Sequence, residues 1–337
     1  MPDSDGPKIA VIGAGAIGSL LGGLLARAGE DVMLIGRPEH VNAIRASGLH
    51  IDGAFGDFVV NVKAAESLDF RPDVALLAVK TQDVEAACRQ YEVWLQDVRV
   101  VTLQNGVRSD DIVASVLPRK NVLSGVVIFN AQYLEPGRVT LALGGVLVIG
   151  EAFAKNGLRA QGIRALLDKA LQTRLSDNIQ GAHYTKLLVN NLANGLEAMT
   201  GLSIQACMRR ASLRHIGAAM LREGYQTVTA TGIRLEPLPG IPLGLLRLIG
   251  QAPLALSAAM LSVTVGSLNT LSSTLQSLRR GRPTEIEYLN GEIVRLGQKA
   301  RRPTPYNSLV VEVVKEAEAS GHFGAPETIA HRFAALH

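Results

Sequence analysis

A chain of 337 residues, 47% hydrophobic and 19% charged, carries enough apolar material for about two globular domains and too little charge for a disordered one. Its 34 glycines and 14 prolines follow no three-residue period, which excludes a collagen-like fibre, and two cysteines, Cys88 and Cys207, are too few for a disulfide scaffold and fit a reducing cytoplasm. The 34 basic and 30 acidic side chains leave a net charge of +4 scattered along the chain, so no nucleic-acid partner is expected.

The opening MPDSDGPK has acidic residues where a secretory signal would be basic, so the apolar run behind it is read as structure. Lys8–Ile12 reads as a short β-branched strand ending in Gly13-Ala14-Gly15-Ala16-Ile17-Gly18. Apolar residues at helical spacing follow as far as Ala28-Gly29, a helix-stop signal, and a second strand at Asp31–Ile35 closes a βαβ unit. The three glycines answer separate needs: a tight turn, close approach of backbone to a pyrophosphate, and close packing of helix on strand. Free N–H groups at the helix start then hold the diphosphate, so residues Gly13, Ala14, Gly15, Ala16, Ile17 and Gly18 predict a dinucleotide site. Where an acid would hold the ribose of NAD, this chain has Gly36-Arg37; a guanidinium there suits a 2′-phosphate, and NADPH is the expected cofactor. A solvated loop charge is the other reading of Arg37.

Strand-like runs follow at 74–79, 98–103 and 122–129, with helical spacing over 84–95 between the first two, an alternation that indicates a parallel sheet. Lys80 and Gln104-Asn105-Gly106 fall just beyond two of these strands, where ligands bind in open α/β sheets; an exposed lysine and an Asn-Gly turn are the plain alternatives. Short alternating runs over 133–150 are expected to complete the sheet with antiparallel strands. From about residue 181 helical spacing takes over, at 182–200, 211–231 and 284–299. Residues 248–278 contain no charged side chain, a length that would span a membrane. Pro253 and Gly266 interrupt this stretch and Gln251, Ser257, Ser262, Thr264, Ser267, Asn269 and Thr270 make it too polar, so no stable span is expected; buried helices at a subunit contact, and hence a homodimer, are the reading it motivates. The chain from Gly324 reads as a peripheral tail.

Lys186, Asn190 and Asn194 recur every four residues and share one side of a helix, while Leu188, Leu192 and Leu196 share another. Asparagine is a poor interior helix residue, so Asn190, Asn191 and Asn194 within five positions require a reason beyond propensity. One reading is a solvated polar face. The other is a lysine that donates a proton beside amides that align a polar substrate, provided its pKa is lowered towards neutrality. His183, near the helix start, has no carboxylate at clear spacing and reads as structural. Farther on, Thr284 and Glu287 have capping-box spacing, Ile286, Leu289, Ile293 and Leu296 supply a buried stripe, and Glu285 would occupy the first helical turn.

Together, Gly13-Ala-Gly-Ala-Ile-Gly18, Ala78-Val-Lys80, Gln104-Asn-Gly106, Lys186-x₃-Asn190-x₃-Asn194, Ser272-Ser273 and Arg282-Pro-Thr-Glu285-Ile-Glu-Tyr-Leu-Asn-Gly291 resemble the ketopantoate reductase (2-dehydropantoate 2-reductase) family, over most of the chain. The resemblance implies an α/β fold: a Rossmann-type NADP-binding domain over 8–180, a mainly α-helical domain for substrate and dimerisation over 181–323, and a tail over 324–337. It implies NADPH-dependent reduction of a small 2-oxo acid, 2-dehydropantoate to (R)-pantoate, in pantothenate synthesis. By it Lys186 is the catalytic proton donor and Glu285 an acidic residue at the reacting centre that contacts substrate or the nicotinamide ribose. Asn190, Asn194 and Ser273 bind substrate, and Asn105, placed among both the substrate and the cofactor residues, lies with Lys80 on the cofactor side, while Arg37 meets the 2′-phosphate. Ile204 stands where the family has a further asparagine, Thr270 (beside Asn269) where it has another, and Ser277 where an aspartate is common, and 238–265 is longer than in compact members. These departures touch substrate choice more than reaction type. A related reductase of a different 2-oxo or hydroxy acid keeps Lys186 and changes the pocket; a non-catalytic dinucleotide sensor would have no use for Lys186 and Glu285.

Overall fold

The computed structural model describes residues 6–264 and 271–336, and the chain divides into two compact units, Met1–Ile179 and Gln180–His337. The first is built on one sheet of ten strands: β1 (Lys8–Ile12), β2 (Asp31–Ile35), β3 (Leu49–Gly53), β4 (Phe58–Val60), β5 (Lys63–Ala65), β6 (Val74–Leu77), β7 (Arg99–Thr102), β8 (Val122–Glu135), β9 (Arg138–Glu151) and β10 (Thr173–Leu175). The spatial order is β4-β3-β9-β8-β7-β6-β1-β2-β5, with β10 on β9. From β5 to β8 every pairing is parallel, Ile9 lying between Val32 and Val74, which is the Rossmann-type order. The central strands β1, β6 and β7 are apolar and almost wholly buried, as expected of parallel strands in a unit whose helices are α1 (Ala16–Arg27), α2 (Pro38–Ser47), α3 (Val84–Gln90), α4 (Glu92–Leu95), α5 (Ser109–Ala114) and α6 (Leu158–Asp168).

The sheet curls round α1, which touches β1 and β2 on one side and β3, β4, β8 and β9 on the other. Leu20, Leu21 and Leu25 are fully buried, each contributing about 1.5–3 kcal/mol of transfer free energy. Gly22 and Gly23 let strands close in from both sides, since a Cβ there would lie 2.4 Å from Leu34 Cδ2 and 2.6 Å from Ile51 Cδ1.

Several sequence expectations change. The alternating runs after residue 121 are two 14-residue antiparallel strands, β8 and β9, joined at Pro136-Gly137 and bent by irregular register around Asn130. The helical span over 84–95 breaks at Tyr91 into α3 and α4. Strands β4, β5 and β10, three residues each, are too short to give a periodic signal, and β3 (LHIDG) goes unrecognised because it lacks a β-branched run.

The second unit is helical: α7 (Ile179–Thr200), α8 (Ile204–Met208), α9 (Ala211–Ala230), α10 (Leu243–Gln251), α11 (Leu254–Thr264), α12 (Ser273–Arg279), α13 (Asn290–Lys299), α14 (Pro305–Ser320) and α15 (Pro326–Ala334). Leu188, Leu192 and Leu196 of α7 are buried against Gly217 and Gly224 of α9, whose missing side chains let the two helices approach. The uncharged stretch is split at Pro253, with the Ser257 hydroxyl donating to the Ile249 carbonyl at 2.8 Å, and among the described residues no helix is long and apolar enough to cross a membrane. Gly266, Ser267, Asn269 and Thr270 lie outside the described residues.

Two expectations in this unit are corrected. The helix expected over 284–299 is a 3₁₀ turn, Ile286–Tyr288, followed by α13 from Asn290; the capping box does not form, because the Thr284 hydroxyl accepts from Ile286 N while Glu287 pairs with Lys315 at 2.6 Å. The tail is not peripheral. Gly324 N donates to the Met199 carbonyl, and α15 buries Ile329 and Phe333.

Candidate active site

In the first unit the candidate residues gather at the carboxyl ends of β1, β2, β6 and β7. The Ile35 carbonyl accepts from both Gly13 N and Ala14 N, which holds the end of β2, and with it Gly36-Arg37, against the glycine turn. Gly13 has φ 104°, and a Cβ there would come within 2.5 Å of Val79 N, so only glycine allows the turn to lie on the strand end that leads to Lys80. A Cβ on Gly18 would sit 2.2 Å from the Gly13 carbonyl oxygen. Gly15 differs: it is exposed, has φ −90°, and a Cβ would meet nothing within 4 Å. No side chain caps α1, its first turn carries no acid, and its leading N–H groups, of Ala16, Ile17 and Gly18, have no partner within the helix, while Gly15 just before them borders open space. That combination fits a bound diphosphate, and these residues would hold one.

Arg37 is exposed at the start of α2, and none of the described carboxylates forms an ion pair with it. Lys80 and Asn105 are half-buried on neighbouring loops. The buried Gln104 amide donates to the carbonyls of Leu77 and Val79, and the Thr81 hydroxyl donates to the Asn105 carbonyl at 3.1 Å, so the two loops are tied together. Gln104 was visible only as part of the Gln-Asn-Gly run; its role depends on β6 and β7 being neighbours.

In the second unit Lys186, Asn190 and Asn194 lie along one side of α7 as the spacing requires. Lys186 is half-buried, and desolvation takes its ammonium from 10.5 down to about 8, with the Glu285 carboxylate opposing that fall. Glu285 thus acts electrostatically on Lys186 across 99 positions of sequence (285 − 186). Its placement is fixed on both flanks: Thr284 N donates to Glu318 on α14 at 3.0 Å, and Glu287 pairs with Lys315 on the same helix. Asn194 is buried. Its Nδ2 donates to the Asn190 carbonyl at 2.8 Å, while its Oδ1 accepts from Thr274 Oγ1 at 2.7 Å, Thr274 N at 3.2 Å and Ser273 Oγ at 3.4 Å. Ser273 is exposed at the start of α12, whose N-cap is Ser272. Asn190 is half-buried, and His183 is buried. The chemistry on offer is a proton donor of lowered pKa, a carboxylate near it, and an amide-hydroxyl pair suited to polar groups of a small ligand.

Unforeseen from the sequence were Thr274, Glu318, Lys315 and Glu197, all of which act through partners far along the chain. Glu197 carried a signal, a charge that continues the face of Lys186, Asn190 and Asn194 on α7, but no spacing rule names its partners.

Family models match both parts of the chain: residues 9–153 match ketopantoate reductase PanE/ApbA and residues 178–318 match its C-terminal region. A curated relative from Pyrococcus horikoshii, 2-dehydropantoate 2-reductase, is 30% identical over 316 residues, covering 93% of this chain and 98% of the relative. Among solved structures, a PanE/ApbA family ketopantoate reductase from Ralstonia eutropha JMP134 superimposes with a TM-score of 0.79 at 31% identity, covering 93% of this chain and 99% of that one. D-mandelate dehydrogenase with NADH and anilino(oxo)acetate superimposes with a TM-score of 0.81 at 26% identity, over 93% and 99% of the two chains. With both of its units matched and the glycine turn and lysine-asparagine helix in place, the chain is an oxidoreductase that belongs to the ketopantoate reductase family.

Proposed function

We propose that the protein reduces 2-dehydropantoate to (R)-pantoate with NADPH, in pantothenate biosynthesis. The observation that carries this reading is the desolvated Lys186 ammonium with Glu285 acting on it. A bound nicotinamide would supply the hydride for the carbonyl carbon. Lys186 donates its proton to the carbonyl oxygen, and its charge stabilises the alkoxide as it develops. Asn190, Asn194 and Ser273 align the carboxylate and hydroxyl groups of the acid, Glu285 orients the lysine, and Lys80 and Asn105 serve the cofactor side. The exposed guanidinium of Arg37, beside the glycine turn, supports a 2′-phosphate contact and so NADPH rather than NADH. The second unit is proposed to serve substrate binding and dimerisation, the latter through the exposed Leu248, Leu256 and Val263 of the uncharged stretch, and a cytoplasmic location suits both buried free cysteines.

A second reading has its own support. The likeness to D-mandelate dehydrogenase, together with Ile204 and Ser277 at departures from the family pattern, favours a different 2-oxo acid handled by the same lysine. Reduced-nicotinamide oxidation with 2-dehydropantoate and a panel of aliphatic and aryl 2-oxo acids, each with NADPH and NADH, separates the readings. Fast turnover confined to 2-dehydropantoate is expected. Turnover confined to another acid keeps the mechanism and replaces the substrate, and cofactor binding without any turnover points to a sensor. In the same assay Arg37→Asp should shift the NADPH to NADH preference by roughly tenfold to a hundredfold, the worth of a charged hydrogen bond; an unchanged ratio removes Arg37 from the phosphate.

A further inference from the structure

Glu197 lies one turn beyond Asn194 on α7 and is fully buried, the costliest position for a carboxylate unless it is hydrogen-bonded. Both oxygens are used. Oε2 accepts from Ser272 N at 2.6 Å, and Oε1 accepts from Ile204 N at 2.7 Å. Each donor stands at the beginning of a helix, Ser272 capping α12 and Ile204 opening α8, where main-chain N–H groups lack intrahelical partners. Burial pushes the Glu197 carboxyl up, and the Ser272 and Ile204 donors hold it down, as expected of an acid kept in place for those bonds. Asn194 meanwhile takes Thr274 N and Thr274 Oγ1. The main chain on either side of Ser273 is therefore tied to α7, by Glu197 at Ser272 and by Asn194 at Thr274, and the Ser273 hydroxyl between them stays exposed at 3.4 Å from Asn194 Oδ1.

From this clamp we infer that Glu197 is a positioning residue for substrate recognition: it sets where the Ser273 hydroxyl sits relative to Asn190 and Asn194, without touching the substrate itself. The inference rests on the reading of that helix face as the 2-oxo acid site. Glu197→Gln is the sharp variant, because it keeps the shape and one acceptor but turns an NH₂ towards one of the two N–H donors.

The test is a double-mutant cycle in the full chain with Glu197→Gln, Ser273→Ala and the pair, read as KM and kcat for the acid that the wild-type protein turns over. Each single change should raise KM about tenfold with kcat and NADPH affinity within about twofold, and the pair should be no worse than the larger single effect, because both disturb one contact. A wild-type KM in Glu197→Gln, or effects that multiply in the pair, overturns the proposal. Hydrogen exchange of residues 271–276 is read alongside, in Glu197→Gln and in the milder Glu197→Asp, which is too short to reach both donors. Faster exchange there, with 186–194 unchanged, is expected, and unchanged protection overturns the clamp even where no 2-oxo acid is turned over, an outcome that would separately refute the substrate reading.

Discussion

The glycine turn of the first unit and the lysine-asparagine helix of the second are built in opposite ways. In the turn the backbone is the functional group. Its requirements are met inside one contiguous βαβ stretch plus the carboxyl ends of β6 and β7, and side chains matter there mostly by being absent, as at Gly13, Gly15 and Gly18. On the helix and beside it the candidate groups are side chains, and several are set by partners far along the chain: Asn194 by Thr274 at a separation of 80 residues, Glu197 by Ser272 at 75, and the flank of Glu285 by Glu318 at 34. A local device survives in any chain that keeps its motif. A non-local one depends on the whole helical unit being assembled.

The largest break in the comparison comes from Lys186→Ala. Losing a positioned acid should cut kcat by about 10²–10⁴ while NADPH binding, proposed for the other region, stays within about twofold. Steady-state turnover beside a direct titration of NADPH reads both. Near wild-type turnover would take Lys186 out of the chemistry and leave the helix face as a binding surface only.

How far the sequence could be read follows the same division. The strands β1 and β2 and the turn between them agree with the structure to the residue, because a β-branched run, a glycine cluster and an amphipathic helix are all local signals. The stripe of Lys186, Asn190 and Asn194 was equally legible as a stripe, but not what it faces. Asn194 turned out to be a bracket for α12, which no spacing rule announces. The failed capping box shows the limit of spacing rules: Thr284 and Glu287 stand three apart as required, yet Glu318 and Lys315 on α14 are stronger partners than the local backbone, and the α-helix starts late. The tail misread has the same origin, since the burial of Phe333 beside Tyr306 depends on a contact between two helices that no local pattern announces.

The pH profile sharpens the electrostatic half of the comparison. A lysine acid works only while protonated, and desolvation brings the Lys186 pKa down from 10.5 to about 8. Turnover should therefore be flat below that pH and fall about tenfold per unit above it. Glu285 opposes the desolvation, so removing its charge with Glu285→Gln should move the fall to lower pH. A profile still flat near pH 10 would mean that the ammonium is solvated as in an ordinary surface lysine.

The smallest effects separate the two uses of glycine inside the turn. At Gly18 a methyl group would enter the space of the Gly13 carbonyl, a backbone atom that cannot step aside, so Gly18→Ala should cost about 1–3 kcal/mol of stability and lower Tm without any ligand present. At Gly15 the backbone is already in a region open to every residue and the space is empty, so Gly15→Ala should leave the Tm of the ligand-free protein unchanged. Its cost should appear only when a pyrophosphate must approach the main chain, as about tenfold weaker dinucleotide binding. If Gly15→Ala binds NADPH like the wild type, the turn is a packing device throughout and the anion must be held elsewhere. If it weakens NADPH at constant Tm, the open space at Gly15 is the part of the first unit kept for the ligand rather than for the fold.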